Sequence, residues 1–270
     1  MMRKLTPEQV TALRQLRAHL PEARILLVGA SALGLHLDMT WRATADLDVC
    51  VAIGIEDLSR ISSIAGWTRH PALEHRWTTT EGAVVDIVPA DDAALRAGEV
   101  RWPEGGQVMS LVGFRAAFRS AVDADVGGVV VGLPPASAIV LLKMVAYLDR
   151  PADRVKDLKD IAYTIDRHLA DDDPTRFDDP SIRDLELDHG ETGAFLLGRA
   201  LAGIVDADEM AAVLAFLAMA EDEADRHATG VKLARDAPHS WGGELDDREA
   251  SLRRFIRALK LGLQQAPPRP

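Results

Sequence analysis

Two aspartates separated by a single leucine, Asp46 and Asp48, stand at the head of the apolar run LDVCVAI at 47–53. Alternate residues of a strand share a face, so both carboxylates project to one side with Cys50 following them, while Leu47, Val49 and Val51 project to the other. Like charges held together are unfavourable unless a cation lies between them, and oxygen-only ligands suit magnesium or manganese rather than zinc. Asp86 stands alone in the apolar arm AVVDIVP. A carboxylate there needs a partner, whether a metal ion, an arginine or a helix N-terminus. If that arm pairs beside the Asp46 strand, three carboxylates meet at one edge. The same three residues can instead be read as strand-end groups that cap loops or pair with Arg42 and Arg76.

The elements that must position them follow from the apolar pattern. RILLV at 24–28 reads as a short buried strand, and Gly29-Ala30-Ser31 follows it directly and opens a helix over Ser31 to Leu37. A small-residue turn between strand and helix aims free backbone N–H groups and a hydroxyl beyond the strand end, which suits a phosphate as well as a plain serine cap. EHRWTTT and AVVDIVP flank Glu81-Gly82 and read as a hairpin whose second arm carries Asp86. VVVGL at 129–133 is a further strand, and IEDLSRISSIAG and VGFRAAFRSAV have helical spacing. Residues 1–133 therefore read as a mixed sheet with helices on it, entered through an N-terminal amphipathic helix.

After Pro134-Pro135 the pattern becomes helical. Residues 134–170 carry Lys143, the one charge in ASAIVLLKMVAYL, and VKDLKDIAYTI, whose stripe of Val155, Leu158, Ala162 and Ile165 has Ile161 at its edge. Lys143 either snorkels or meets an anion. In the second helix Asp157 falls beside Ile161 near the seam, and Asp160 is expected to turn further towards solvent. Residues 171–184 form an aspartate-rich linker, and 185–270 are helical up to a fraying QQAPPRP.

With 47% hydrophobic residues the chain can bury a substantial core, and its net charge of −11 weighs against a broad nucleic-acid face, though not against a confined basic patch. The one cysteine, Cys50, excludes an internal disulfide and reads as a buried inert thiol. No stretch is long and apolar enough for a membrane span, and the N-terminus reads as a helix rather than a signal peptide, so a cytoplasmic location is expected. The histidines, His70 and His75 included, assemble no zinc motif, and Trp102 reads as a packing anchor.

Taken in order, Val28-Gly29-Ala30-Ser31, then Arg42-Ala43-Thr44-Ala45-Asp46-Leu47-Asp48-Val49, then Val85-Asp86-Ile87 resemble the signature of the nucleotidyltransferase superfamily: a glycine-serine turn, a D-x-D strand and a third aspartate. The likeness is to the AbiEii-type (AbiEii/AbiGii toxin family) nucleotidyltransferases in particular. There the core is followed by a helix with a lysine and another bearing K-D-x-x-D, similar to Lys143 and Lys156-Asp157-Leu158-Lys159-Asp160. The resemblance covers roughly residues 24–169. It implies an α+β fold with a mixed sheet core, flanking helices and a helical C-terminal part. It also implies magnesium- or manganese-dependent transfer of a nucleoside monophosphate from a nucleoside triphosphate to an acceptor hydroxyl, in a toxin-like or defence-associated setting. The acceptor would be a tRNA 3′ end, a protein or a small alcohol, and a cognate antitoxin would be a partner. In that scheme Asp46 and Asp48 hold metal ions, and Asp86 helps bind the catalytic one and activates the acceptor. Gly29 and Ser31 seat the triphosphate, Lys143 neutralises its charge, and Asp157 orients Lys143 or the acceptor. Ala30 stands where many relatives carry a second glycine or a serine, and the spacer to Asp46 is long. Both features touch the phosphate turn and leave, as the alternative, a non-catalytic nucleotide- or partner-binding module on the same scaffold.

Overall fold

The computed structural model describes residues 5–39, 46–170, 172–178, 182, 185–222 and 228–265. Arg42 and its neighbours at 40–45, much of the acidic linker, and residues 266–270 of the fraying tail lie outside them. The chain divides between Pro135 and Ala136 into an α+β unit and a helical unit.

The first unit opens with α1 (Pro7–His19), whose start is closed by reciprocal bonds: Gln9 N–H to Thr6 Oγ1 at 3.3 Å and Thr6 N–H to Gln9 Oε1 at 3.0 Å. Then come β1 (Ile25–Leu27), α2 (Gly29–His36), β2 (Asp46–Val51) and the single-turn α3 (Leu58–Ile61). They are followed by β3 (Thr68–Arg69), β4 (Arg76–Thr78), β5 (Val84–Pro89), α4 (Asp92–Ala97), β6 (Glu99–Arg101), β7 (Val108–Ser110), α5 (Phe114–Ser120), β8 (Val122–Asp125) and β9 (Val130–Leu133). Seven strands form one mixed sheet in the order β3-β4-β5-β2-β1-β9-β8, and β6 pairs with β7 separately. β2 runs parallel to β5 and β1 parallel to β9, while the other neighbours are antiparallel. The expected hairpin is β4–β5. IEDLSRISSIAG keeps only a 3-10 turn at Ile55–Asp57 and the four residues of α3.

The core face of the central pair is Leu47, Val49, Val51, Val85 and Ile87, all fully buried. β2 and β5 sit in the middle of the sheet, which is where β-branched and apolar runs of this kind bury best. Cys50 is also fully buried, and burial pushes its thiol well above the ordinary range, as expected of an inert structural cysteine.

The helical unit holds α6 (Ala136–Asp149), α7 (Val155–Arg167), α8 (Thr175–Asp178), α9 (His189–Ile204), α10 (Ala207–Glu221), α11 (Thr229–Arg235) and α12 (Leu245–Gln264). α9, α10 and α12 each begin in a capping box, formed by Asp188 with Glu191, Asp206 with Glu209, and Glu244 with Asp247. α9 and α12 cross backbone against backbone: a Cβ on Gly198 would lie 2.1 Å from Leu259 O, and one on Gly262 would lie 2.0 Å from Phe195 O. No helix among the described residues is long and apolar enough to cross a membrane.

Within the first unit α2 is pinned at its C-terminal end by His36, whose Nε2 stands 2.7 Å from Pro134 O. Burial holds the His36 imidazole below its ordinary value, and the hydrogen bond to the carbonyl opposes that shift. The folded state thus resists protonation that the unfolded chain accepts at about pH 6.5. The stabilising difference is complete above that pH and is lost as pH falls from it through the lower folded-state value. Unfolding in urea is therefore expected to show lower stability at pH 5.5 than at pH 7.5, with a flatter dependence in His36→Gln.

Candidate acidic site

The register of the central strands decides what meets. In the β2–β5 pairing Asp48 lies opposite Asp86 and Asp46 opposite Val84, and in the β4–β5 pairing Arg76 lies opposite Asp86. Since the period of a strand is two, Asp46, Asp48, Asp86 and Arg76 all stand on one face of the sheet. That placement also puts Asp46 and Asp48 at the start of β2, beside the end of antiparallel β1 where α2 begins. The Val28 N–H donates to the Asp48 carbonyl at 3.0 Å, which ties the two strand ends together.

Arg76 gathers two of the three carboxylates. Its Nε donates to Asp86 Oδ1 at 2.8 Å and its Nη2 to Asp86 Oδ2 at 2.7 Å, a side-on fork. The same Nη2 donates to Asp46 Oδ2 at 3.0 Å. Of the partners open to Asp86, the fold supplies the arginine. The group is neither dry nor fully wet, with side-chain exposures of 30% for Arg76, 35% for Asp46 and 16% for Asp86. The bonds to Asp86 first, and then the charges of Asp86, Asp46 and Asp48, raise the Arg76 guanidinium above its ordinary value against the opposing effect of burial. Among the described residues no three His, Cys, Asp or Glu side chains are gathered so that they could hold a metal ion as they stand.

Asp48 is placed differently. Gly29 takes a left-handed φ of +64°, and a Cβ built on it would lie 2.2 Å from Asp48 Oδ2 and 2.8 Å from Asp48 Cβ. Glycine is required twice over, by the backbone and by the aspartate leaning on it. The contact sets the Asp48 carboxylate at the amino end of α2, where a helix favours negative charge. Val28, the cap residue of α2, makes no side-chain hydrogen bond there. Ser31 is buried, and its hydroxyl donates to the Asp46 carbonyl at 2.9 Å, so it fastens the helix to β2.

Lys143 and Asp157 lie in the helical unit. Lys143 Nζ stands 3.0 Å from Asp157 Oδ1 and 2.7 Å from Asp160 Oδ2, with exposures of 4%, 1% and 0%. Arg154 Nε is 2.6 Å from Asp157 Oδ2, an ion pair out of hydrogen-bond alignment. Lys143 therefore meets anions rather than snorkelling. Asp160, expected to turn towards solvent, is wholly buried. Residues 157 and 160 are three apart and lie on neighbouring parts of one helix face, so one ammonium on α6 collects both.

The group missed by sequence reasoning is Arg76 as the hub of the site. Its signal was present, a lone arginine in the β4 arm of a hairpin whose β5 arm holds a lone aspartate. Trp102 is buried and its ring centroid lies 5.6 Å from that of His75, in keeping with a packing anchor.

Compared by sequence, the chain matches no protein-family model and no curated protein. Among solved structures it is similar to an antigenic nucleotidyltransferase-like protein from Paracoccidioides brasiliensis, at 15% identity over 60% of this chain and 77% of that one, with a TM-score of 0.39. It is also similar to the antibiotic-resistance factor ANT(2'')-Ia, at 17% identity over 54% of this chain and 75% of that one, TM-score 0.34. A suggested nucleotidyltransferase from H. pylori matches at 14% identity over 97% of both chains, TM-score 0.33. At these TM-scores the likeness is too slight to bear on fold or function.

Two outcomes test the placements. Gly29→Ala is expected to cost at least about 1–2 kcal/mol for the left-handed backbone alone. Part of any further loss should return in Gly29→Ala/Asp48→Ala, a coupling measurable by a double-mutant cycle in urea. Lys143→Met should destabilise by about 3–5 kcal/mol, because it removes the ammonium that bridges two buried carboxylates.

Proposed function

We propose that the chain is a divalent-metal-dependent nucleotidyltransferase that moves a nucleoside monophosphate from a nucleoside triphosphate to an acceptor hydroxyl. The observation that carries this reading is the placement of Asp46, Asp48 and Asp86 on one sheet face beside the glycine start of α2, with a guanidinium already paired to Asp46 and Asp86. The donors are hard carboxylate oxygens in partial contact with solvent, which fits magnesium or manganese. Asp46 and Asp48 would hold the ion. Such an ion would supply positive charge to the reacting phosphate and to the departing pyrophosphate.

The chain's own groups do the rest. The acceptor oxygen forms a bond to the α-phosphorus as the bond to the β-phosphate oxygen breaks; the acceptor proton goes to a carboxylate, and pyrophosphate leaves. Asp86, held by Arg76, is aimed along the same face and takes the acceptor proton. At Gly29 the backbone N–H groups at the start of α2 face the triphosphate, whereas the Ser31 hydroxyl keeps the turn in register through the Asp46 carbonyl. Lys143 and Asp157 clamp α6 to α7 before anything else, since Lys143 can give its charge to a phosphate only by releasing Asp157 or Asp160. The acceptor remains a tRNA 3′ end, a protein hydroxyl or a small alcohol. A net charge of −11 favours the two that need no broad basic face. The toxin-like setting and a cognate antitoxin rest on the family resemblance.

One observation favours a second reading, a nucleotide- or partner-binding module without catalysis: Arg76 already satisfies Asp46 and Asp86 without a metal ion. A single assay separates the two. Purified protein with magnesium or manganese, each α-labelled nucleoside triphosphate, and total RNA, protein extract or small alcohols should give a labelled product, and Asp48→Asn should abolish it. Metal-dependent nucleotide binding without transfer from any triphosphate would establish the module. With neither binding nor transfer, the acidic face would be structural.

A further inference from the structure

Arg76 is bound to its two aspartates unequally. Asp86 takes two hydrogen bonds, at 2.8 and 2.7 Å, on both of its oxygens, whereas Asp46 takes one, at 3.0 Å, from a nitrogen that Asp86 already uses. The difference follows from register. Arg76 and Asp86 are direct cross-strand partners, so their side chains meet without reaching, while Asp46 lies one strand further on. Asp46 is also the more exposed carboxylate, at 35% against 16%.

Charge points the same way: Asp46 and Asp86 together carry one more negative charge than the Arg76 that joins them. Asp46 and Asp48 share the start of β2 at a spacing of two residues, whereas both Asp86 oxygens already accept from the fork.

We infer that Arg76 is the resident counter-cation of Asp46 and Asp86, and that a divalent cation binds by exchange, taking Asp46 from Arg76 while Asp86 stays in the fork. The inference rests on the metal-dependent reading above and deepens it in two ways. The cation site is one ion on Asp46 and Asp48, and Arg76 is a positioning residue that aims Asp86 and sets the threshold for metal. A cation must displace a hydrogen-bonded positive group, so the protein folds without metal and takes it up more weakly than the carboxylates alone would allow.

The test compares wild type, Arg76→Gln, Arg76→Lys and Asp48→Asn by calorimetric titration with Mn2+ and by melting temperature with and without Mn2+, in the absence of nucleotide. Arg76→Gln is expected to melt lower without metal, bind Mn2+ about tenfold more tightly, and show a larger rise in melting temperature on metal addition. Arg76→Lys keeps the charge without the fork and should fall between the two, and it remains informative if Arg76→Gln does not fold. Asp48→Asn should lose the metal response. A merely structural arginine would weaken metal binding when replaced. The exchange is overturned if wild type binds Mn2+ through Asp48 and neither Arg76 variant binds it more tightly; the metal-dependent reading then stands. If no variant binds Mn2+, exchange and metal-dependent reading fall together.

Discussion

Carboxylates crowded on one face of a sheet are tolerated only with positive charge among them, and among the described residues of the first unit the Arg76 guanidinium supplies it to Asp46 and Asp86. Asp46, Asp48 and Asp86 repel one another, and the sheet interior behind them leaves no room to turn away, because Leu47, Val49, Val51, Val85 and Ile87 are fully buried. A slip of one residue in β2 or β5 would exchange those apolar side chains for the aspartates. The hydrophobic core therefore fixes the register, and the register fixes the acidic face. Arg76 follows from the hairpin, which sets it directly across from Asp86.

α2 is fitted to that face at three points. Its first residue, Gly29, yields the space that the Asp48 side chain fills, its first turn is fastened by Ser31 to the Asp46 carbonyl, and its last turn is fastened by His36 to the Pro134 carbonyl. The bonds through Ser31 and His36 use side chains and leave the backbone N–H groups at the helix start out of those contacts. The same residues that look like a phosphate turn in the sequence thus also perform the structural work of holding the turn. Both roles are compatible, because the hydroxyl serves one and the amides the other.

The sequence made the site legible as far as local periodicity reaches. Alternation alone placed Asp46 and Asp48 on one face, and the turn at Glu81-Gly82 predicted the hairpin that carries Asp86. What joins those two pieces is the parallel β2–β5 pairing, a contact between strands 38 residues apart at Asp48 and Asp86, which no short window contains. Arg76 was visible as a partner but not as the hub, since one slip in the hairpin would turn it to the opposite face. Asp160 was misplaced for a different reason. A helical wheel sorts residues by hydrophobicity and sends an aspartate outward, but a buried lysine on a neighbouring helix makes an inward aspartate favourable. The short elements α4, β6, β7 and β8 escaped notice because they bury few side chains. β8 is an edge strand with Val122, Asp123 and Asp125 exposed.

Among the described residues, the Arg76 and Lys143 clusters are built from the same chemistry, and their surroundings decide what each can do. Lys143, Asp157 and Asp160 are almost wholly removed from water, so separating them would expose charges to a medium that cannot solvate them. Such a group holds helices together and is slow to take another partner. Arg76, Asp46 and Asp86 keep between a sixth and a third of their side-chain surface in contact with solvent. Water can stabilise the separated groups during an exchange, which lowers the cost of releasing Asp46. The physical distinction between a clamp and a binding site here is therefore access to water rather than residue type, and it places the exchangeable charge in the α+β unit and the permanent one in the helical unit.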